Sequence, residues 1–526
     1  MPIKIAVGLI MIFLVIIPLI IMFSGITLDS ITSVLQSAKF PVALKNSIWT
    51  SAVATVISVA LAYLLALATV RANIPCPKLF NILLILPMLI PSLSHGMGLI
   101  ILFGNNGIIK NLFSDGTSSI YGPVGIIIGS VMYAFPVAYI MLRDVLKYED
   151  MSVYEAANVL GLSKARQFLR LSLPYMKKPL IAAAFSTFSL IITDYGVPAM
   201  IGGKTQTLSL ILYKEVIGKT NFGNGAVLSI FLILPAVIAF IADLLNKERA
   251  SSSFVKREVY TGKTRPLTYI SLFLCIVVSI LVILPIFSFA FLAFATRYPA
   301  DMSFTFGNIL GTFRGRGLKY LLNSILVAAL ASALGCILAY VTAYLTSRMK
   351  SALSHAIHLV VLTFMAIPGL VLGLSYLMTY SKLMKPMQYF LPLMILVTVN
   401  IAHFIASPYL MMYNSFGKMN ENLEAVGQTL GISRIRIIKD VFLPQNLGSL
   451  CEMFSYIFVN CMMTISAVSF LASVMTKPIS LMITQFEAQS QFEFAAVVSL
   501  VILLINICMK LVIEFLKSRL EKKQSI

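Results

Sequence analysis

Few residues of this sequence have the types and spacing that chemistry requires. Two Gly-Lys-Thr triplets, beginning at Gly203 and Gly262, resemble the end of a phosphate-binding loop, but Pro198 and Arg257 stand where such a loop has its first glycine. The sequence contains no HExxH motif and no nucleophile elbow, and its 6 cysteines are scattered without a CxxC pair. We therefore expect no catalytic residue, metal site or cofactor site in this chain.

The most specific spacing lies in a polar segment that follows the fourth apolar run. Ser152 and Glu155 have the spacing of a capping box, which begins a helix, and Gly161 stands where that helix would end in a left-handed residue. Ser163 can cap a second short helix, which Pro174 would close. The segment therefore predicts a compact helix-turn-helix.

Two alanines, Ala156 and Ala157, follow Glu155 on the first of these helices. Their small side chains predict a flat face that the surface of another protein can approach closely. The alternative interpretation is an amphipathic helix that lies at the membrane interface.

The amino-acid composition indicates the class of protein to which this segment belongs. Hydrophobic residues make up 59% of the 526 residues and charged residues only 11%, whereas soluble domains have about 25% charged residues. The net charge of +20 does not indicate nucleic-acid binding, because the basic residues form short clusters between apolar runs. The sequence therefore predicts an all-α polytopic membrane protein.

Apolar runs of about 20 residues, the length that crosses a bilayer, predict about twelve transmembrane helices. We place them near residues 5–26, 46–70, 79–103, 122–142, 179–200, 225–246, 267–295, 320–346, 355–380, 390–413, 447–475 and 493–516. The first run could also be a signal peptide, but it lacks a small-x-small cleavage pattern, so we count it as a helix. With the N-terminus inside, most Lys and Arg residues lie in cytoplasmic loops, which predicts that both termini are cytoplasmic.

The sequence contains an internal duplication. Asn46, Ser47, Tyr63, Arg71 and Pro91 recur 277 positions later as Asn323, Ser324, Tyr340, Arg348 and Pro368, and Gly161 and Leu173-Pro174 recur 270 positions later as Gly431 and Leu443-Pro444. Six crossings in each copy return the chain to its starting side, so the repeats are parallel, with a translocation path expected at their interface. We assign residues 1–246 to the first repeat, 247–266 to a cytoplasmic linker and 267–526 to the second repeat.

Glu155-Ala156-Ala157, then Gly161, then Leu173-Pro174 resemble the EAA loop of permease subunits of binding-protein-dependent ABC importers. The resemblance covers nearly the whole chain, with one loop near 146–178 and another near 414–446. It implies that the first loop contacts a separate cytoplasmic ATPase through Ser152, Glu155, Ala156, Ala157 and Gly161. ATP and Mg²⁺ would be bound by that partner, expected in two copies, and an extracytoplasmic solute-binding protein would deliver the solute.

The second copy of the loop departs from the pattern. Alignment of Gly431 with Gly161 places Ala425, Val426 and Gly427 at the Glu-Ala-Ala positions, with Glu424 one position early. Asn422 matches Ser152 as a helix cap. We therefore expect a weaker or differently oriented second contact, made by Asn422, Glu424, Ala425, Gly427 and Gly431.

An ion-coupled secondary carrier is the main alternative, because many such carriers have twelve spans in two parallel halves. Carriers of this kind need ionisable residues deep in their spans, and few are present here. Asp194 is the one to single out, at the end of the fifth span beside Tyr195, and its counterpart in the second repeat is Thr464. These three residues could line the substrate path, or Asp194 could simply mark the end of a helix.

The fused arrangement resembles permeases for ferric iron, thiamine or phosphonates. Within that branch, the segments 193–198 and 211–218 are most similar to 2-aminoethylphosphonate permeases, although ferric iron permeases share the Asp-Tyr-Gly element. An outward basic cluster at Arg297, Arg314, Arg316 and Lys319 could favour an anionic substrate. The resemblance implies a multi-pass protein of the bacterial inner membrane that imports 2-aminoethylphosphonate, or alternatively ferric iron or thiamine.

Overall fold

A computed structural model describes residues 2–109, 120–150, 152–246, 265–383 and 392–524. The first repeat contains α1 (Pro2–Phe23), α2 (Leu28–Leu35), α3 (Lys39–Arg71), α4 (Pro77–Ile85), α5 (Ser92–Phe103), α6 (Pro123–Lys147), α7 (Ser152–Val159), α8 (Lys164–Thr193), α9 (Gly196–Ile201), α10 (Leu208–Tyr213) and α11 (Phe222–Asn246).

The second repeat begins with α12 (Arg265–Ala293) and a hairpin of two short strands, β1 (Ala295–Arg297) and β2 (Asp301–Phe304). It continues with α13 (Gly307–Phe313), α14 (Gly317–Ser347), α15 (Ala352–Thr363), α16 (Gly369–Leu383), α17 (Pro392–Phe404), α18 (Ala406–Gly417), α19 (Leu423–Thr429), α20 (Arg434–Ile437), α21 (Leu447–Met463), α22 (Ser480–Ala488) and α23 (Phe492–Gln524).

The predicted all-α polytopic fold is confirmed. Within the described ranges, 8 helices are long and apolar enough to cross a membrane, or up to 11 if each bent helix pair counts as one span. The short apolar helix α21 adds to these. Most of the linker assigned to 247–266 lies outside the described residues.

The third span of each repeat is broken rather than straight, which the prediction of continuous helices near 79–103 and 355–380 missed. The two arms bend by 102° before Pro91 and by 108° before Pro368. Ile90 and Ile367, the residues before these prolines, have extended backbones. Proline disfavours the helical conformation in the preceding residue and lacks an N–H to continue the helix, which explains both breaks.

The predicted fifth spans, 179–200 and 447–475, were too long. The helices end at Thr193 and Met463, and the next residues, Asp194 and Thr464, are extended with ψ of 131° and 135°. In the first repeat the short helix α9 follows. The chain therefore turns before it would have completed the predicted crossing.

Two helices, α3 and α14, are long enough to project beyond the hydrocarbon layer. They contain 33 and 31 residues. At 1.5 Å per residue each is about 46–50 Å long, against a hydrocarbon core of about 30 Å. Their C-terminal ends carry Arg71 and are followed by Arg348, respectively, and both arginines contact the polar loops.

The chain forms two compact units that do not coincide with the two repeats. One unit contains Ser33–Lys214 and Ile230–Asn308, so that α12 of the second repeat packs on α3 to α5. The other contains Met1–Thr32, Glu215–Ser229 and Ile309–Ile526. In this unit Lys4 Nζ of α1 donates to the carbonyl oxygen of Met349 (2.6 Å) and to Ser354 Oγ (2.9 Å).

Candidate functional site

The first loop helix, α7, begins earlier than its predicted capping box requires. Ser152 already lies in the first turn of α7, and its backbone N–H donates to Asp150 Oδ1 (3.0 Å). The capping box of Ser152 and Glu155 is therefore wrong, because Asp150 supplies the side-chain acceptor at this helix end. Glu155 is left exposed on the outer surface of the helix.

The predicted left-handed residue is present at the end of α7. Gly161 has φ +69°. The N–H of Leu162 donates to the carbonyl of Ala157 (3.0 Å), and that of Gly161 to the carbonyl of Asn158 (3.0 Å). These two bonds form a Schellman motif, which turns the chain sharply into α8.

Pro174 does not close a second short helix, contrary to the prediction. The helix that follows Ser163 runs from Lys164 to Thr193 as one element, with a π-helical segment at Phe168–Ser172 just before Pro174. A π segment lets the chain pass a residue that has no N–H without ending the helix. The first loop is therefore continuous with the fifth span.

The second loop has the same backbone geometry. The backbone N–H of Asn422 donates to Asn420 Oδ1 (2.9 Å), and the Asn422 side chain makes no capping bond, so the predicted cap at Asn422 is wrong. Gly431 has φ +67°, and the N–H of Ile432 donates to the carbonyl of Gly427 (2.8 Å). The helix start and the Schellman turn are therefore retained although the Glu-Ala-Ala sequence is not.

Only part of the predicted docking face is accessible. Ala156 and Ala425 are exposed, but Ala157 and Gly427 are buried within their own loops. Ala157 and Gly427 therefore cannot contribute to a flat outer face as expected. The accessible face of the first loop instead adds two apolar side chains, Val159 (89% exposed) and Leu160 (78% exposed), to Glu155 and Ala156.

A buried ion pair anchors the first loop to the end of α3. Arg71 pairs with Glu149, which is 4% exposed. The hydroxyl of Tyr154 donates to Glu149 Oε1 (2.5 Å), and Arg71 donates to the Tyr154 hydroxyl (3.2 Å) and to Ser172 Oγ (3.1 Å). One guanidinium group thus bonds to Glu149 before α7, to Tyr154 within α7 and to Ser172 within α8.

The second loop is anchored in the same place by a different carboxylate. Arg348 donates to both carboxylate oxygens of Glu424 (2.9 and 2.5 Å) and to the carbonyls of Met419 (3.1 Å) and Asn420 (2.7 Å). The hydrogen bond to Glu424 raises the pKa of Arg348. Glu424 is therefore not a displaced docking glutamate, as its sequence position suggested, because its side chain faces Arg348.

The sequence interpretation assigned no role to these arginines. The recurrence of Arg71 as Arg348 between the repeats is the sequence signal that indicates such a role. Their partners were not recognisable, because Glu149 and Glu424 do not align with each other.

Asp194, Tyr195 and Thr464 lie at helix breaks. The Asp194 carboxylate accepts hydrogen bonds from the N–H groups of Gly196 (3.2 Å) and Val197 (2.9 Å), and so caps α9. Tyr195 is buried and stacks on Tyr213, with ring centroids 4.8 Å apart. The helix-end interpretation of Asp194 is thus supported by its hydrogen bonds.

Asp194 also lines a small polar cavity. The other polar residues that line this cavity are Ser47, Thr50, Ser51, Ser130 and Thr207. Apolar residues, among them Ile126 and Ile192, complete the lining, which comes from α3, α6, the end of α8 and the segment after it. The two interpretations of Asp194, helix cap and path-lining carboxylate, are therefore compatible.

Matching hydrogen bonds hold the segments after the fifth spans. Ser209 Oγ donates to the carbonyl of Asp194 (2.8 Å), as Ser480 Oγ does to that of Thr464 (2.8 Å). Asn46 Nδ2 donates to the carbonyl of Gln206 (3.1 Å), as Asn323 Nδ2 does to that of Met475 (3.0 Å). These asparagines hold the backbone of the segment that follows the break.

Comparison with known proteins places this geometry in a family. The sequence profile of the family described as "Binding-protein-dependent transport system inner membrane component" matches twice, at residues 58–248 and 331–522. The ferric transport system permease protein FbpB of Actinobacillus pleuropneumoniae is 21% identical over 82% of this chain and 65% of its own length. The chain thus spans about two thirds of that relative.

Two further relatives match different shares of the chain. A putative ferric transport system permease protein, FbpB 1 of Haemophilus influenzae, is 21% identical over 82% of this chain and 70% of its own length. A probable sulfate transport system permease protein, cysT of Chlorokybus atmophyticus, is 28% identical over 44% of this chain and 85% of its own length. With both repeats matched by the family profile, the chain belongs to the family of binding-protein-dependent transport system inner membrane components.

Proposed function

We propose that this chain is the permease subunit of an ATP-driven ABC importer. A solute-binding protein delivers the solute at the outer face of the bacterial inner membrane. Two copies of a separate ATPase bind below, one at each loop, and hydrolyse ATP. The chain itself has no ATPase activity, and both of its termini are cytoplasmic, in agreement with the distribution of Lys and Arg.

The observation that carries this proposal is the pair of loops with one geometry. Both begin beside a side-chain acceptor and turn at a left-handed glycine. The first loop then continues as one helix to Thr193, whereas the chain after the second loop breaks at Asn446 before α21. In the first loop, Glu155, Ala156, Val159 and Leu160 form an accessible face with one negative charge and an apolar surface. This face fits a groove that offers apolar side chains and a cation.

The helix α8 supplies the coupling. When the ATPase subunits close on ATP, the attached loop moves, and α8 transmits the motion over 30 residues to Thr193 and the break at Asp194. Asp194, Tyr195 and Thr464 lie where such a movement changes the shape of the path. We propose that Asp194 lines the substrate path and that Thr464, its counterpart in the second repeat, contributes no charge.

We propose ferric iron as the solute. The relatives that match both repeats are named ferric transport system permeases, and each covers 82% of the chain. A carboxylate among hydroxyl groups, as at Asp194, suits a hard cation. 2-Aminoethylphosphonate, which the segments 193–198 and 211–218 favour, is the alternative solute.

The test is uptake into proteoliposomes that contain the chain, its ATPase and its binding protein. We expect ATP-dependent accumulation of radioactive ferric iron, and none when the ATPase is omitted. Uptake of labelled 2-aminoethylphosphonate in place of iron would replace the proposed solute but retain the importer. Full uptake without the ATPase would overturn the importer itself and favour an ion-coupled carrier.

A further inference from the structure

Each loop is attached to a long helix by one arginine, but the two repeats place the partner carboxylate at different positions. Gly161 and Gly431 align, so Tyr154 aligns with Glu424 and Glu149 aligns with Met419. In the first loop the carboxylate is on Glu149 and position 154 holds a tyrosine. In the second loop the carboxylate is at the position of Tyr154, and Met419 contributes only its carbonyl.

The surroundings of the arginines are otherwise matched. Ser172 accepts a hydrogen bond from Arg71, and at the aligned position the ring of Phe442 lies 5.2 Å from the Arg348 guanidinium carbon. The Tyr154 ring lies 4.9 Å from the guanidinium carbon of Arg71. Each guanidinium group thus contacts one carboxylate and one aromatic ring, but both groups stand at different aligned positions in the two loops.

These ion pairs are buried, so the loss of one partner has a larger effect than it has in a surface ion pair. The side chains of Arg71 and Glu149 are 17% and 4% exposed, and those of Arg348 and Glu424 are 5% and 17% exposed. Removal of one partner would leave a charge uncompensated in a partly desolvated site. By contrast, the nearby pair of Lys350 and Glu421 is 79% and 81% exposed, and contributes little by the same reasoning.

We propose that Arg71 and Arg348 are positioning residues that fix the two loops for contact with the ATPase. The carboxylate that pairs with the arginine can stand at either of two positions of the loop, that of Glu149 or that of Glu424. The inference rests on the proposed function of the loops. The inference goes beyond the proposed function because it assigns the coupling geometry to residues outside the docking face. It also predicts that the carboxylate of one loop can be moved to the position used by the other.

The first experiment moves the carboxylate within the full chain. We expect Glu149→Gln to lower ATP-driven iron uptake at least about tenfold while membrane insertion is retained, because the Arg71 charge loses its partner. The double variant Glu149→Gln/Tyr154→Glu rebuilds the arrangement of the second loop, and we expect uptake within about threefold of the wild type. Glu421→Gln is the matched control and should leave uptake unchanged.

The second experiment measures the amide protection of the first loop independently of transport. Hydrogen exchange of the purified chain in detergent reports the protection of the amides of α7 and of Leu162. We expect faster exchange there in Glu149→Gln, restored protection in the double variant, and no change in Glu421→Gln. A merely global loss of stability would instead raise exchange in α3 and α6 as well.

The two experiments distinguish a failure of the proposed importer function from a failure of the proposed arginine anchor. Absence of ATP-driven uptake in the wild type would overturn the importer, while the exchange data would still test the anchor. Normal wild-type uptake with no effect of Glu149→Gln on uptake or on exchange would overturn the anchor. So would a double variant that inserts normally but recovers neither the amide protection nor the uptake.

Discussion

Gly161 and Gly431 have the same left-handed backbone, with φ of +69° and +67°, at the same point of two loops that share little sequence. No atom lies within 4 Å of where a Cβ would be at either residue. The requirement for glycine is therefore conformational rather than steric. Retention of this turn in both repeats indicates that the direction in which the chain leaves α7 and α19 matters more than the residues on their surfaces.

The first prediction concerns this turn. Gly161→Val should destabilise the first loop by about 1–2 kcal/mol, because a β-branched residue pays the full cost of the left-handed conformation. Uptake should fall with it. Gly161→Asn is the matched control, since asparagine tolerates this conformation, and it should retain most uptake. Equal activity of the two variants would show that the turn is not required.

The second prediction concerns the docking carboxylate. Glu155 is exposed, so Glu155→Lys should leave insertion and thermal stability unchanged but abolish ATP-driven uptake, because it reverses the one charge on the docking face. The aligned change in the second loop, Ala425→Lys, should be milder. Uptake and co-purification of the ATPase measure both effects. Unimpaired transport in Glu155→Lys would count against the contact.

The third prediction concerns the packing of the second loop. A Cβ at Gly427 would overlap Cδ1 of Ile437, the flexible end of that side chain, so Gly427→Ala should cost about 1 kcal/mol of local stability. The first loop holds Ala157 at the aligned position, and Gln167 where the second loop has Ile437. The double variant Gly427→Ala/Ile437→Val removes the overlapping Cδ1 and should therefore recover most of the loss, measured by hydrogen exchange of α19. Failure of this rescue would place the constraint elsewhere.

The fourth prediction separates the two roles of Asp194. Asp194→Asn retains a side-chain oxygen that can cap α9, so thermal stability should be preserved, while iron uptake should fall several-fold because the path loses its charge. Asp194→Ala should also lose about 1 kcal/mol of stability through the missing cap. Full iron uptake by Asp194→Asn would assign this residue to the helix end alone.

The sequence predicted the fold class and the duplication well, because long apolar runs and recurring residues are local signals. It also located the left-handed glycines, whose spacing from the helix start is fixed by the helix itself. The breaks at Pro91 and Pro368 were missed because an apolar run has the same composition whether the helix is straight or bent. The recurrence of these prolines was nevertheless visible.

The caps and anchors were harder to predict. A capping box at Ser152 and an Asx cap at Asp150 differ by two residues, and composition does not distinguish them. The pairing of Arg71 with Glu149 joins positions 78 residues apart, and nothing in the local sequence reports such a contact. Glu424 was interpreted wrongly for the same reason, since its partner Arg348 lies 76 residues away.

The exchange of helices between the repeats has a consequence for dissecting this protein. One compact unit includes α12 from the second repeat, and the other includes α1 from the first. A fragment that stops at residue 246 would lack α12, and its own α1 would have no Met349 or Ser354 to receive Lys4. Neither half of the gene product is thus self-sufficient, and severed halves should be produced together if they are to be studied at all.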